Sequence, residues 1–188
     1  KRGSLCETNY TPLFYDLSEE DKEEQRSKFG KFKGMKQDNP NIPKSRLYIM
    51  LAKVRKTSEE KLPVFRDHLE DHPEILEDAL IFVETKEYGL KVQRIIQDFT
   101  KSYRTYYGED PEETLEAFSN GEISTLVTSK AISEGIDIKS VKNIILFTSN
   151  RSKGTTIQRI GRALRTNPDN PGKTANIVDF VVRSDIEE

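Results

Sequence analysis

From Asp78 onward the chain alternates short apolar runs with amphipathic segments, and this alternation constrains the fold more than any other feature. Residues 79–83 are nearly all apolar, as expected for a strand covered on both faces. Residues 86–99 then place Leu90, Val92, Ile95, Ile96 and Phe99 at helical spacing. A strand over 103–107, closed by Gly108, comes next. A helix follows, opened by Asp110-Pro111-Glu112-Glu113 and ended by Gly121. Further strands are predicted over 124–127, 143–147 and 175–181, with a helix over 155–164 in which Thr155 and Gln158 stand at capping-box spacing. Repeated strand–helix units build a parallel sheet with helices on its faces and right-handed connections. Ligands of such sheets gather at the carboxyl ends of the strands.

The first part of the chain reads differently. Residues 1–43 are polar and broken by Pro12, Gly30, Gly34, Pro40 and Pro43. One helix is expected there. Ser18 caps it, Asp21 lies three residues later, and the first-turn acids favour its positive end; it should stop near Phe29-Gly30. A second helix over 44–56 carries an apolar stripe, and a third over 58–71 holds Pro63 in its first turn, where a missing N–H is tolerated. We therefore expect a helical extension over 1–43 and an α/β unit over 44–188.

The octapeptide Gln158-Arg159-Ile160-Gly161-Arg162-Ala163-Leu164-Arg165 carries the most chemistry. On a helix, Arg162 and Arg165 occupy neighbouring positions of one face. Guanidinium matches phosphate oxygens in a bidentate fashion and stays charged at any working pH. Two such groups aimed at one phosphate could stabilise charge during its transfer, although arginines on a helix are more often simply solvated.

This octapeptide resembles the last motif of the superfamily two helicases and translocases. The segment from Leu126 through Thr128, Ser129, Gly135 and Asp137 to Ile138 looks like the motif before it, and 79–85 looks like the strand and turn that open the second motor lobe. The three appear in family order. The resemblance implies a C-terminal RecA-like lobe that works with an N-terminal RecA-like lobe, ATP, Mg²⁺ and nucleic acid. It implies that Arg162 and Arg165 are arginine fingers, worth roughly 10³–10⁵ in rate in related phosphoryl-transfer enzymes. Gln158, Gly135 and Asp137 match positions near the nucleotide, Asp137 also fitting a turn cap. Thr128, with Ser129 and Thr85, matches the residues that follow a nucleic-acid backbone, a role that strand-end threonines often lack. Arg159 fits an internal brace better than a ligand contact. Gln-Arg at the motif's start and Leu164 before Arg165 look more like the excision-repair, restriction and phage branches than the DEAD-box branch, which implies a DNA substrate. Lys130 stands where several relatives carry an acid, and Tyr107-Gly108 where many carry His-Gly.

What is missing also informs. A nucleotide motor needs a Gly-rich loop ending in Lys-Ser/Thr. Gly172-Lys173-Thr174 mimics its end, but Asn167 occupies the place of the first glycine and the tripeptide precedes a strand. We read it as a turn, and the ATP-gripping half-site is expected on the other lobe. His68 and His72 lie four apart, but Leu69 stands where the metalloprotease pattern needs Glu, so no metal is expected.

At 188 residues the chain can bury a sizeable core. Its net charge of −2 advertises no strongly basic surface. The single cysteine, Cys6, allows no internal disulfide, and no apolar stretch approaches the roughly 20 residues of a membrane span. An intracellular protein that does not enter membranes is expected. The opening Lys-Arg-Gly, without methionine, suggests a piece of something longer.

Overall fold

The strands β1 (Glu7–Tyr15), β2 (Ala79–Phe82), β3 (Tyr103–Tyr106), β4 (Thr125–Thr128), β5 (Asn143–Leu146) and β6 (Thr174–Val182) form one six-stranded sheet in the order β1-β6-β5-β2-β4-β3. Every pairing is parallel. The computed structural model describes residues 7–107, 109–129, 141–148 and 174–183. The helices are α1 (Glu19–Asp38), α2 (Lys44–Thr57), α3 (Lys61–Asp71), α4 (Lys86–Ile96) and α5 (Glu113–Ser119), with a short 3-10 turn over Pro73–Leu76. This is the parallel α/β architecture that the alternation implies, and it fits the RecA-like lobe that the resemblance implies. None of the described helices is long and apolar enough to cross a membrane.

Strand periodicity divides the core into two layers, because successive side chains of a strand point to opposite faces. Ile81, Val127, Ile145 and Val178 face Phe65 and Leu69 of α3 and Val92 and Ile96 of α4. Leu80, Leu126, Ile144 and Ile177 face Leu115 and Phe118 of α5. Phe147, just past β5, stacks on Phe180 at 4.4 Å between centroids and meets the Phe65 edge at 5.2 Å. Offset and edge-on geometries of this kind add about 0.5–1.5 kcal/mol beyond area burial.

Three features differ from the sequence expectation. Residues 7–15 form a full edge strand, paired with β6 from Glu7–Thr174 to Tyr15–Val182. Pro12 reads as a breaker, but an edge strand tolerates a missing N–H on its outer side. Helix α1 runs through Gly30 and Gly34 to Asp38 rather than stopping at Gly30. Its start is as expected: the Asp21 N–H donates to Ser18 Oγ at 3.0 Å, and the Asp21 carboxylate accepts from the Ser18 N–H. At α5, Asp110 does not cap the helix. Its Oδ2 accepts from the Tyr107 N–H at 2.6 Å, the helix begins three residues later, and Glu112 at its start makes no side-chain cap. Gly121 does end that region, in the left-handed conformation at φ 76°. The helix expected over 155–164 lies outside the described residues.

Candidate functional site

Four strands, β2, β3, β4 and β5, end level with one another at the carboxyl edge. Register places Phe82 beside both Thr128 and Leu146, and Thr128 beside Tyr106. Backbone bonds extend the alignment past the strands. The Val83 N–H donates to the Thr128 carbonyl and the Phe147 N–H to the Phe82 carbonyl, each at 2.9 Å. The connection after β4 passes to β5 on the other side of β2, so this edge is where the winding changes side. Crevices for ligands open at such switch points. The polar residues that follow the apolar runs (Glu84 and Thr85 after β2, Ser129 after β4, Thr148 after β5) therefore share one rim.

Each expected backbone-contact residue on this rim has a definite place. Thr85 caps α4: its Oγ1 accepts from the Tyr88 N–H at 3.2 Å. The Thr85 hydroxyl also helps hold the Glu87 carboxyl below its usual range, second to the backbone N–H of Glu87 itself. The Thr85 hydroxyl is thus engaged with its own helix. Thr128 is buried, with its carbonyl committed to Val83. Ser129 is half-buried. Arg162, Arg165, Gln158, Gly135 and Asp137 lie outside the described residues, as do Arg159 and Lys130.

Two lysines at this rim escaped the sequence reading. Lys61 is only 2% exposed, and its Nζ donates to the Phe147 carbonyl at 2.8 Å. It sits 5.4 Å from the Tyr15 ring centroid and 5.9 Å from that of Phe180. Burial pushes its ammonium down to about 7, while Asp179, Asp21 and Glu84 oppose the fall and Lys56 adds to it. The signal was present: Lys61, Phe65 and Leu69 stand at i, i+4 and i+8, a lysine on the apolar face of α3. Lys56 of α2 pairs with Glu84 at 3.0 Å and ties that helix to the end of β2.

The two motif decoys have structural places. The His68 and His72 rings lie 4.9 Å apart, and His72 Nδ1 meets Glu74 Oε1 at 3.2 Å. Among the described residues no three His, Cys, Asp or Glu converge as metal ligands. Thr174 opens β6, while Gly172 and Lys173 lie outside the described residues.

A six-stranded parallel sheet flanked by helices, with its polar rim at a switch point, is a RecA-like α/β fold. Residues 60–167 match the helicase conserved C-terminal domain family, and the chain belongs to that family, as a C-terminal lobe of the superfamily two helicases and translocases. It is 29% identical over 115 residues to the ATP-dependent RNA helicase p62 of Drosophila melanogaster, covering 59% of this chain and 16% of that protein. It is 25% identical over 126 residues to the DNA 3'-5' translocase XPB2 of Sulfurisphaera tokodaii, covering 67% of this chain and 27% of that protein. The SWI2/SNF2 ATPase core of Sulfolobus solfataricus in complex with dsDNA shares the fold with a TM-score of 0.63 at 17% identity, over 93% of this chain and 41% of that one. The chain thus spans about a quarter or less of the length of these two curated relatives.

Proposed function

We propose that this chain is the C-terminal motor lobe of an ATP-dependent helicase or translocase acting on DNA. One observation supports the reading above others: the ends of β2 and β4, which bear the first two motifs, lie side by side at the switch-point rim, with Phe82 in register with Thr128. In the sequence, the segment bearing Gly135 and Asp137 follows Ser129, which lies on the same edge. In this reading ATP sits between the N-terminal RecA-like lobe and this one, and the other lobe holds most of the ATP and Mg²⁺. Arg162 and Arg165 face its terminal phosphate, with Gln158, Gly135 and Asp137 beside the nucleotide. Thr128, with Ser129 and Thr85, follows the nucleic-acid backbone; of these Ser129 and Thr85 are half-buried and Thr128 is buried. Residues 1–43 lead in from the other lobe. Closure of the cleft on ATP moves this rim along the strand, a population shift carried by contacts made only in the closed state.

The test is Arg162→Ala and Arg165→Ala in the intact protein. DNA-stimulated ATPase should fall by roughly 10³-fold or more with the fold retained. Full turnover in both variants would leave the chain a non-catalytic binding module. The 188-residue chain alone should hydrolyse no ATP. The similarity to an RNA helicase favours a second substrate reading, RNA, so ATPase stimulation should be compared with single- and double-stranded DNA and RNA.

A further inference from the structure

The net charge of −2 conceals a sharp segregation. Residues 25–57 contain ten basic residues and one acid, Asp38, which leaves 20 basic and 31 acidic residues in the rest of the chain. That basic stretch is the second half of α1 and all of α2, and α2 has Lys44, Arg46, Lys53, Arg55 and Lys56 with no acid at all. The two helices pack as a hairpin, burying Phe32 and Val54. Between them lies a groove of about 290 Å³, lined by Lys28 and Lys31 of α1 and by Lys53 and Lys56 of α2, with Ile49, Met50 and Ala52 also in its wall. Each lysine pair is spaced i, i+3, so both members lie on one helix face.

We propose that this groove is a second contact for the nucleic-acid backbone, continuous with the strand-end rim. It rests on the motor reading above. Three observations favour nucleic acid as the occupant. First, Glu84, which immediately precedes Thr85 on the strand-end rim, also lines the groove, so the rim and the groove share a residue. Second, Lys28 pairs with Glu24 and Lys56 with Glu84, whereas Lys31 and Lys53 are exposed and form no ion pair among the described residues. Free ammonium groups on a fixed scaffold release counterions from phosphates, the main source of backbone affinity. Third, the hairpin carries exposed aromatic rings: Tyr48 is 66% exposed, next to Ile49 at 70%, and Phe29 is 44% exposed with Lys33 Nζ 4.8 Å from its centroid. Aromatic faces interleaved with lysines suit bases and sugars, since every base offers a ring to stack on.

The experiment is Lys31→Glu with Lys53→Glu in the intact protein, binding a short fluorescein-labelled DNA by anisotropy across a salt series. A matched control is Lys101→Glu with Arg104→Glu, exposed at the opposite sheet edge near β3. The hairpin pair should weaken binding about tenfold or more and flatten the plot of log affinity against log salt by about two units, while the control moves affinity less than about twofold. Wild-type affinity and slope in the hairpin pair would overturn the proposal. An equal loss in the control pair would overturn it too, because the effect would then be net charge alone. Unchanged DNA binding with weakened docking of the N-terminal lobe would make the hairpin a lobe-docking face, and the proposal would fall. These outcomes leave the motor reading untouched, since that reading fails on the turnover of the Arg162 and Arg165 variants.

Discussion

The ammonium of Lys61 donates a 2.8 Å hydrogen bond to the carbonyl oxygen of Phe147, inside a pocket walled by Tyr15 and Phe180. The bond joins the start of α3 to the end of β5, the strand that precedes the arginine motif. The site has a predictable pH signature. An unfolded lysine keeps its proton to about pH 10.4, whereas Lys61 releases it near 7 in the folded chain. Between these values the unfolded state binds more protons, so stability rises with pH, by up to about 1.4 kcal/mol per unit. The cost of burying the charge is full below about 7 and fades above it. Lys61→Met should therefore lose this slope. Denaturant midpoints of wild type and variant at several pH values between about 6 and 9 read it, and parallel curves would show that Lys61 stays charged throughout.

Gly89 of α4 lies against the Tyr107 ring, and a Cβ placed at position 89 would lie 2.8 Å from Tyr107 Cζ. The Tyr107 hydroxyl is buried without a hydrogen-bond partner among the described residues, and burial followed by the Asp110 charge pushes it up to about 12. Gly89→Ala should destabilise by about 1–3 kcal/mol through overpacking. Tyr107→Phe should stabilise by about 1 kcal/mol, since it removes an unsatisfied buried group, and should restore part of the loss in the double variant. Thermal midpoints in a double-mutant cycle measure this, and strict additivity would rule the contact out.

Where a rule of local chemistry acted alone, the sequence was readable. The strands predicted at 79–83, 124–127 and 143–147 lie within a residue of β2, β4 and β5, whose apolar side chains only a two-sided parallel sheet hides. Ser18 and Asp21 announced the start of α1. The misses come from partners far along the chain. β1 is a strand because β6, more than 160 residues later, supplies its hydrogen bonds. The two glycines in α1 weaken the helix locally, but packing of α1 on α2 carries it to Asp38. Thr85 illustrates a limit of another kind, because one hydroxyl suits a phosphate and a helix cap equally, and here its atoms serve α4. The basic hairpin was legible in principle and was lost in a chain-wide charge count.

Gly30 and Gly34 lie inside α1 with no atom within 4 Å of where a Cβ would stand, and neither has a positive φ. Alanine fits at both positions and restricts the unfolded chain. Gly30→Ala and Gly34→Ala should each stabilise by about 0.5–1 kcal/mol, additively, with DNA affinity unchanged. Urea denaturation measures the gain. A loss at either position would mean that the helix is kept flexible there by another contact.

Glu84 holds Lys56 at 3.0 Å, with side chains 28% and 16% exposed, so the pair is partly desolvated. Glu84→Gln keeps the shape and removes the charge, which leaves a half-buried ammonium facing a neutral amide. Stability should fall by about 1–2 kcal/mol, the scale of a charge-assisted bond set against a partly buried cation. The same change releases Lys56 toward the groove and removes the one acid that lines it among the described residues. DNA affinity should therefore rise by several-fold, with a steeper salt dependence by about one unit. Denaturation and anisotropy on one preparation separate the two effects, whose signs are opposite. A variant that lost stability and affinity together would show that the ion pair shapes the groove rather than masking its charge.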